Sequence, residues 1–307
     1  MGKRVFSRWV GVGAVAVLAA GVLGGAVVAP SGSTGSRAAS AACVTTESWV
    51  PTTTDYFRLP AGLFRSQGVT FNGKYWFFSW QYGLERTLPV KLGATTTYVE
   101  TDARPLAIPP DLLRAGSDHI GDIDTYGKVL IAPIEDSANY RHPRLVFYNP
   151  VTLLPTGERY ELPHSLLTEG VPWVAVDKTA GLAIVAEWNN TSVLDFFDIR
   201  HGMTLDHQVH LDRVVGRIQG AKVFDGALYA SRDDADKTVI RIDIQTGHVT
   251  DLFALHAHGE MEGIAMGATS QGEMHVMFIH GDKSSVQGLE QLRSSLHHYR
   301  RVLTQTC

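Results

Sequence analysis

Residues 67–80 read QGVTFNGKYWFFSW, and the prediction of the fold starts from this stretch. A short alternating segment is followed by the pair Asn72-Gly73 and then by the strongly apolar run Tyr75–Trp80. Asn-Gly between two such segments is a strong signal for a tight hairpin turn, because both residues tolerate the positive φ angles that the turn requires. The stretch therefore predicts two antiparallel β-strands.

The same pattern recurs four more times, beginning at residues 121, 172, 219 and 262. Each copy has a small or polar pair, an alternating segment, a turn and an apolar strand. The apolar strands are Val129–Glu135, Leu182–Trp188, Ala227–Arg232 and Glu273–His280. The successive starts lie 54, 51, 47 and 43 residues apart, which indicates one repeated structural unit.

A second strand and turn lie inside three of the units. Asn149, Asp198 and Asp243 each end an alternating strand, at places where their side chains can bond to the backbone of the following turn. Each unit therefore contains two hairpins, or four strands. Four-stranded units of this period are typical of β-propellers. The sequence predicts an all-β fold, a single β-propeller domain of five blades over residues 43–307.

The ring of blades closes if the two chain ends share a blade. The last unit has an inner hairpin and a later strand, Leu296–Val302, and Thr45–Val50 can supply the missing outer strand. This pairing would bring together Cys43 and Cys307, the only two cysteines, and predicts a disulfide bond. Two alternatives stay open: a sixth, degenerate blade that begins in Thr54–Phe64, and a pair of β-sandwiches, which predicts no fixed period.

Two segments carry helix formers instead of strand patterns. Pro109–Ala115 and Ser284–Ser295 are expected to form short caps on loops.

The first 42 residues are predicted to be a signal peptide and a spacer. Lys3, Arg4 and Arg8 precede an uncharged apolar run over residues 9–28, and Ala39-Ser40-Ala41 fits a signal-peptidase site. The run is also long enough to span a bilayer, so an uncleaved membrane anchor is the alternative. Cleavage implies a secreted protein in an oxidising location, where the disulfide can form.

The charge of the chain argues against nucleic acid as a partner. Residues 1–41 hold four of the 27 basic residues and none of the 31 acidic ones, so the remainder has 23 basic against 31 acidic residues. Such a chain, with no basic stripe, is unsuited to phosphate backbones. We expect a monomer that binds a small molecule or a carbohydrate and makes no membrane contact after cleavage.

Three short motifs support a resemblance to known propellers: Gln219-Gly220, Glu262-Gly263-Ile264-Ala265 and the turn from Asp243 to Thr246-Gly247. With them, residues 66–282 resemble the superfamily of lactonase-like, NHL-like and regucalcin-like propellers. The resemblance implies the fold and no particular reaction, because one fold hosts many functions.

The innermost strand of each blade lines the channel of a propeller, so the starts of the five units are expected to meet at one mouth. The residues expected there are Gln67, Gly121 with Asp122, Trp173, Gln219 and Glu262. The ends of the second strands should add a rim. The residues expected on the rim are Trp80, Glu135, Glu187 with Trp188, Arg232 with Asp233, and His280 with Asp282.

Oxygen ligands at the channel axis could form a calcium site. Asp122, Asp124 and Glu262 carry the hard oxygen donors that calcium prefers, but no contiguous loop fixes their spacing. The alternative is that the two aspartates accept hydrogen bonds from backbone amides at the starts of the blades.

A second hypothesis for the same region is acid–base catalysis. His119 or Glu187 would be the general base, and Arg232 would stabilise developing negative charge. The alternative is that each is a solvated charge or part of a salt bridge on the rim.

Aromatic side chains suggest a third hypothesis, that the region binds a sugar or another amphipathic ligand. Trp80, Trp173 and Trp188 recur near the same end of their blades, and flat rings beside polar groups suit such ligands. Other expected ligand-binding residues are Gln67, Glu135, Gln219 and His280. The alternative is that the tryptophans pack between blades.

The sequence predicts a secreted propeller that binds a small polar ligand at the mouth of the channel, with metal-assisted hydrolysis or ring opening of an ester or lactone as its chemistry. The rival is a non-catalytic scaffold that binds a glycan or a protein, which a narrow, closed channel would favour.

Overall fold

The computed structural model describes residues 43–92, 95–267, 272–280 and 293–307, which belong to one compact unit. The predicted leader over residues 1–42 lies outside the described residues, as do Asp282 and most of the segment Ser284–Ser295. No helix in the described part of the chain is long and apolar enough to cross a bilayer.

The described strands form five antiparallel sheets, each the blade of a propeller. The chain begins with β1 (Val44–Phe57), which belongs to the last blade, and a short helix, α1 (Ala61–Phe64). Blade 1 then contains, from the channel outward, β2 (Val69–Phe71), β3 (Trp76–Trp80), β4 (Gly83–Leu92) and β5 (Thr95–Arg104). A second short helix, α2 (Pro110–Arg114), confirms the expectation for Pro109–Ala115.

Blade 2 has an innermost strand in two pieces, both paired with the same neighbour. Its strands are β6 (His119–Ile120), β7 (Asp124–Tyr126), β8 (Val129–Glu135), β9 (Arg144–Tyr148) and β10 (Pro155–Glu161). Blade 3 is regular and includes a 3₁₀ helix at Ile199–His201. Its strands are β11 (Ala175–Asp177), β12 (Leu182–Val185), β13 (Thr191–Asp198) and β14 (Thr204–Val215).

Blades 4 and 5 complete the ring. The strands of blade 4 are β15 (Ile218–Phe224), β16 (Ala227–Arg232), β17 (Thr238–Asp243) and β18 (Val249–Ala254). Blade 5 contains β19 (Glu260–Gly267), β20 (Glu273–His280), β21 (Arg293–Thr306) and, as its outer strand, β1. Each inner strand contacts the inner strand of the next blade, and β19 contacts β2, so the ring is closed. The predicted five-bladed propeller is confirmed.

The two ends of the described chain meet as predicted. β1 pairs with β21 from Val44 opposite Thr306 to Phe57 opposite Ser294, and Cys43 is disulfide-bonded to Cys307. Both strands are longer than the sequence indicated. Because β1 extends to Phe57 as part of blade 5, Thr54–Phe64 does not begin a sixth blade, and that alternative is wrong.

The hydrophobic core consists of five clusters, one at each interface between neighbouring blades. At the interface of blades 3 and 4, for example, Phe196 packs in the same cluster as Leu228. Each blade lies between two others and is therefore apolar on both faces, which explains why the second strands read as continuous apolar runs in the sequence.

Candidate functional site at the mouth of the channel

All five blades contribute to a cavity of about 220 Å³ at one mouth of the channel. The residues that line it are Gln67, His119, Glu135, Ser137, Tyr140, Pro172, Trp188, Gln219, Glu260 and Glu262. Six of the predicted site residues are therefore brought together: Gln67, His119, Glu135, Trp188, Gln219 and Glu262. They meet because the innermost strand of each blade begins at this end of the ring and the second strand ends there.

A chain of hydrogen bonds crosses one wall of this cavity. His119 Nδ1 lies 3.0 Å from Oε1 of Glu135, and His119 Nε2 lies 2.9 Å from Oε1 of Gln67. His119 and Glu135 face each other on the paired strands β6 and β8, which fixes the first contact. The imidazole ring is thus oriented by a carboxylate and directed at an amide across the cavity.

The carboxylate of Glu135 is itself fixed by the loop before β11. Its Oε2 accepts a hydrogen bond from the backbone N–H of Val171 at 2.6 Å. The preceding residue, Gly170, has a φ of +87°, and a Cβ atom there would lie 2.2 Å from Oε2 of Glu135. Glycine is therefore required at this position for Glu135 to reach its place, with its side chain only 6% exposed.

His119 can bind its two partners in either protonation state. With the oxygen of Gln67 facing the ring, both ring nitrogens have acceptors, which suits the doubly protonated imidazolium. A 180° rotation of the Gln67 amide presents its NH₂ group instead, and a neutral ring then donates from Nδ1 to Glu135 and accepts at Nε2. A group that gains and loses a proton without losing its hydrogen bonds is suited to proton transfer.

The cavity has an acidic lining. Glu135, Glu260 and Glu262 line it, and neither lysine nor arginine is among the described lining residues. Burial, followed by the nearby charge of Glu135, raises the pKa of Tyr140, so its hydroxyl remains a hydrogen-bond donor at neutral pH. Carboxylates around a partly enclosed cavity favour a positively charged ligand over an anion.

Trp188 provides the aromatic surface of the cavity. Its ring is half-buried, and the guanidinium carbon of Arg217 lies 4.8 Å from the ring centre. Arg217 also forms a salt bridge with Asp233, which holds the cation against the ring. The tryptophan therefore has a fixed orientation beside the polar groups of the cavity.

The two aspartates expected to bind an ion are hydrogen-bonded to neighbouring blades. Asp122 is completely buried and accepts hydrogen bonds from the backbone N–H groups of Val69 and Ala221 and from Nζ of Lys222 at 2.6 Å. Its own backbone is hydrogen-bonded to the segment around Trp173. These contacts link blade 2 to blades 1, 3 and 4 and close the centre of the ring.

Asp124, two residues after Asp122 and the first residue of β7, has a similar role. It accepts hydrogen bonds from the hydroxyl of Thr70 in blade 1 and from the backbone N–H of Val176 in blade 3. Over the described ranges, no group of three or more His, Cys, Asp and Glu side chains is placed to hold a metal ion. Calcium binding by Asp122, Asp124 and Glu262 therefore stays a prediction from the sequence.

Four further predicted site residues also lie away from the described lining of the cavity. Trp80 packs on Phe64, with ring centres 4.8 Å apart, and Trp173 is completely buried in the core between blades 3 and 4. Glu187 accepts hydrogen bonds from Thr168, and Arg232 forms a salt bridge with Asp234.

His280, also expected to bind ligand, belongs to a group of histidines in blade 5. Its Nε2 and that of His297 lie 2.8 and 3.0 Å from the hydroxyl of Ser295. On the other face of the blade, Nδ1 of His275 lies 2.7 Å from Nδ1 of His298. Burial lowers the pKa of all four rings, to about 4 for His297 and to about 3 for His275.

The free energy of unfolding is expected to decrease as the pH falls from 7 to 5. His275 and His297 bind protons near pH 6.5 once the chain is unfolded, but only near pH 3 and 4 in the folded protein. Acidification therefore favours the unfolded state, by about 2 kcal/mol for each histidine over this interval. Urea titrations at both pH values measure this difference, and in His297→Gln it should shrink by about 2 kcal/mol. An unchanged pH dependence in that variant would contradict the assignment.

Sequence reasoning missed Glu260 at the cavity and Lys222 at the centre of the ring. Glu260 lies two residues before Glu262 on β19, so strand alternation could have placed both on one face. Lys222 is the fourth residue of its unit, where two other units have Thr70 and Ala265. A lysine at a position that is small in those two units could have indicated a buried ion pair.

Comparison with solved structures supports the fold. No family model matches the chain, and no curated protein matches it in sequence. A glutaminyl cyclase of Myxococcus xanthus is similar with a TM-score of 0.52 at 12% identity, over 85% of this chain and 98% of that one. A luciferin-regenerating enzyme has a TM-score of 0.49 at 11% identity, over 81% and 95% of the two chains. The protein YCF48, bound to a D1 peptide, has a TM-score of 0.41 at 9% identity, over 76% and 68%.

At these identities the likeness establishes the fold alone. The class of the protein is therefore a five-bladed β-propeller. The lactonase-like and NHL-like family suggested by the sequence motifs is not confirmed by these matches.

Proposed function

We propose that the protein is a secreted enzyme that binds a small, positively charged polar molecule at the mouth of its channel and acts on it by proton transfer. The observation that carries this proposal is the chain of Glu135, His119 and Gln67 on the wall of an acidic cavity. The disulfide between Cys43 and Cys307 is compatible with an extracellular location.

Each group in this chain has a separate role. Glu135 orients the imidazole of His119 through Nδ1, and a ligand that displaces the Gln67 amide would meet Nε2. Glu260 and Glu262 attract the cationic group of the ligand. Glu187 and Arg232 are given no role here, because neither is among the described residues that line the cavity.

Hydrolysis or ring opening of an amino-bearing ester or lactone fits these roles. His119 takes a proton from water as the water oxygen bonds to the carbonyl carbon, and it returns the proton to the leaving oxygen as the carbon–oxygen bond breaks. The side-chain amide of Gln219 is a neutral donor for the charge that develops on the carbonyl oxygen.

Ring closure at a glutaminyl residue is a second candidate, because the carboxylates of the cavity suit an amino group. The Myxococcus xanthus enzyme is called a glutaminyl cyclase. In such a reaction an amine attacks a side-chain amide and ammonia leaves, so one group must remove a proton from the amine and donate a proton to the leaving nitrogen. His119 could perform both transfers.

A non-catalytic binding module is the remaining alternative, and the closed centre of the ring favours it. Asp122 and Lys222 are buried as an ion pair at the centre of the ring, and neither lines the cavity. The same carboxylates and Trp188 would then hold a ligand without changing it.

Assays of His119→Gln distinguish these functions. The oxidised protein is tested on amino-acid methyl esters, their N-acetylated forms, amino lactones and peptides with N-terminal glutamine. We expect the free amines to be preferred about tenfold or more, because acetylation removes the charge that the carboxylates attract. In His119→Gln the rate should fall about 10²- to 10⁴-fold, the usual contribution of a general base.

His142→Gln is the matched control. His142 also pairs with a glutamate, with Nδ1 2.9 Å from Oε1 of Glu161, but this pair is exposed and His142 does not line the cavity. Its activity should stay within about twofold of the parent. Equal losses in both variants, or full activity in His119→Gln, would contradict the proposal. Binding of the amines without turnover would establish the non-catalytic module instead.

A further inference from the structure

A second cavity, of about 560 Å³, lies between blade 5 and blade 1. Trp76, Tyr98 and Tyr299 are among its walls, together with threonines, two histidines and a few charged side chains. Its described lining residues are distinct from those of the channel-mouth cavity. Both its volume and its mixture of aromatic and polar walls are typical of sites for small molecules.

Two histidines in the wall of this cavity continue a hydrogen-bonded chain that starts at a carboxylate. Asp55 Oδ2 accepts a hydrogen bond from the hydroxyl of Tyr98 at 2.8 Å and lies 3.0 Å from Nε2 of His298. The other ring nitrogen of His298, Nδ1, lies 2.7 Å from Nδ1 of His275. The chain thus runs from Asp55 through His298 to His275.

The carboxylate determines where the hydrogen lies on each ring. An ionised Asp55 can only accept, so Nε2 of His298 carries a hydrogen. Nδ1 of a neutral His298 is then an acceptor and must receive its hydrogen from Nδ1 of His275. Burial lowers the pKa of both histidines, which keeps the two rings neutral at pH 7. His275 is therefore left with a lone pair on Nε2.

This lone pair has no partner in the described part of the chain. The side chain of His275 is buried, with 6% exposed, and its hydrogen bond is made through Nδ1. Nε2 lies beside Gly267, where an added Cβ atom would be 3.2 Å away, and Gly267 lines the same cavity. The free lone pair of a neutral imidazole nitrogen is a hydrogen-bond acceptor, so Nε2 can bind a donor group on a molecule in the cavity.

The rings around His275 limit what else the molecule can be. Trp76 meets the imidazole edge to face with ring centres 4.8 Å apart, and Tyr98 and Tyr299 form further aromatic wall. We propose that the cavity between blades 5 and 1 binds a small aromatic molecule that carries a hydroxyl or N–H group, and that Nε2 of His275 accepts its hydrogen.

The state of the two rings is tested first, by nitrogen-15 NMR of the imidazole side chains in the oxidised protein at pH 7. We expect hydrogen on Nδ1 of His275 and on Nε2 of His298, with Nε2 of His275 bare. Hydrogen on Nε2 of His275, directed for example at Glu273 in the same wall, would overturn the proposal.

Binding is tested with p-cresol and with 4-methylanisole, which has the same ring but no donor. We expect p-cresol to bind in the millimolar range, to shift the Nε2 signal of His275, and to bind about tenfold more tightly than the ether. Equal affinities, or no saturation by p-cresol at ~10 mM, would overturn the proposal.

Asp55→Asn offers a sharper variant. The asparagine amide can donate to Nε2 of His298, which reverses every hydrogen in the chain and leaves His275 with hydrogen on Nε2. The preference for p-cresol should then be lost, because the phenol oxygen and the ether oxygen can both accept a hydrogen bond from Nε2. His297→Gln is the control, because His297 lies on the same strand and does not line the cavity; both affinities should be unchanged. If Asp55→Asn does not fold, the two measurements on the parent protein still decide the question.

Discussion

Replacing Asp122 by asparagine is expected to lower the free energy of unfolding by about 3–5 kcal/mol. The substitution removes the negative charge and keeps the shape of the side chain. It leaves the ammonium group of Lys222 buried without a counter-ion, because Nζ lies 2.6 Å from Oδ2 of Asp122 and only 4% of the Lys222 side chain is exposed. Breaking a buried ion pair from one side has a cost of this size.

Two further contacts add to this loss. The amide N–H groups of Val69 and Ala221 also donate to the Asp122 carboxylate, and an asparagine offers one acceptor oxygen in place of two. Burial raises the pKa of Asp122 to about 6, while Lys222 and these N–H groups favour the ionised form, which is the form that accepts from all of them at pH 7.

Urea denaturation of the oxidised protein measures the effect. The double variant Asp122→Asn, Lys222→Met should recover most of the lost stability, because removing both charges leaves no unpaired ion. Asp236→Asn is the surface control, since its side chain is 69% exposed, and it should change stability by no more than about 0.5 kcal/mol. A double variant as unstable as the single one would show that the charge of Lys222 is not the cause.

Removing the disulfide bond is expected to cost about 4–5 kcal/mol. Cys43 and Cys307 are 264 residues apart, so the bond restricts the unfolded chain over nearly the whole domain. The variant Cys43→Ser, Cys307→Ser should still fold, because β1 and β21 remain paired from Val44 to Phe57. Its circular dichroism spectrum should match that of the parent while its urea midpoint falls.

Chemical reduction provides the control for this prediction. The parent protein in reducing agent should lose the same stability as the double variant, and the variant should not respond to the reducing agent. A loss below about 1 kcal/mol would contradict the prediction, because it would mean that the unfolded chain gains little freedom when the bond is absent.

The sequence alone predicted five blades and the way the ring closes, and the extension of β1 to Phe57 in the structure then excluded a sixth blade. Hairpin turns such as Asn72-Gly73 and alternating strands are local features, and their spacing counts the blades directly. The position of the cysteines at the two ends gave the closure. Convergence at one mouth also followed from the repeat, since equivalent positions of repeated units lie at equivalent places in a ring.

Only the tertiary structure decided which of the converging side chains face the cavity and which fill the centre. Asp122 stands where three other units have Gly68, Gly220 and Gly263, and those glycines leave the space that its carboxylate occupies. The sequence contained this substitution, but the depth of a side chain along the channel depends on how closely the blades approach one another.

The histidines of the second cavity show the same limit. His275 and His298 lie on neighbouring strands of blade 5, and Asp55 reaches them from the opposite end of the chain. Periodicity describes how a residue relates to its own strand, whereas these contacts depend on the register between the strands β1, β21 and β20 of blade 5. That physical difference explains why the sequence predicted the ring of blades, and only the folded protein revealed this chain of hydrogen-bonded side chains.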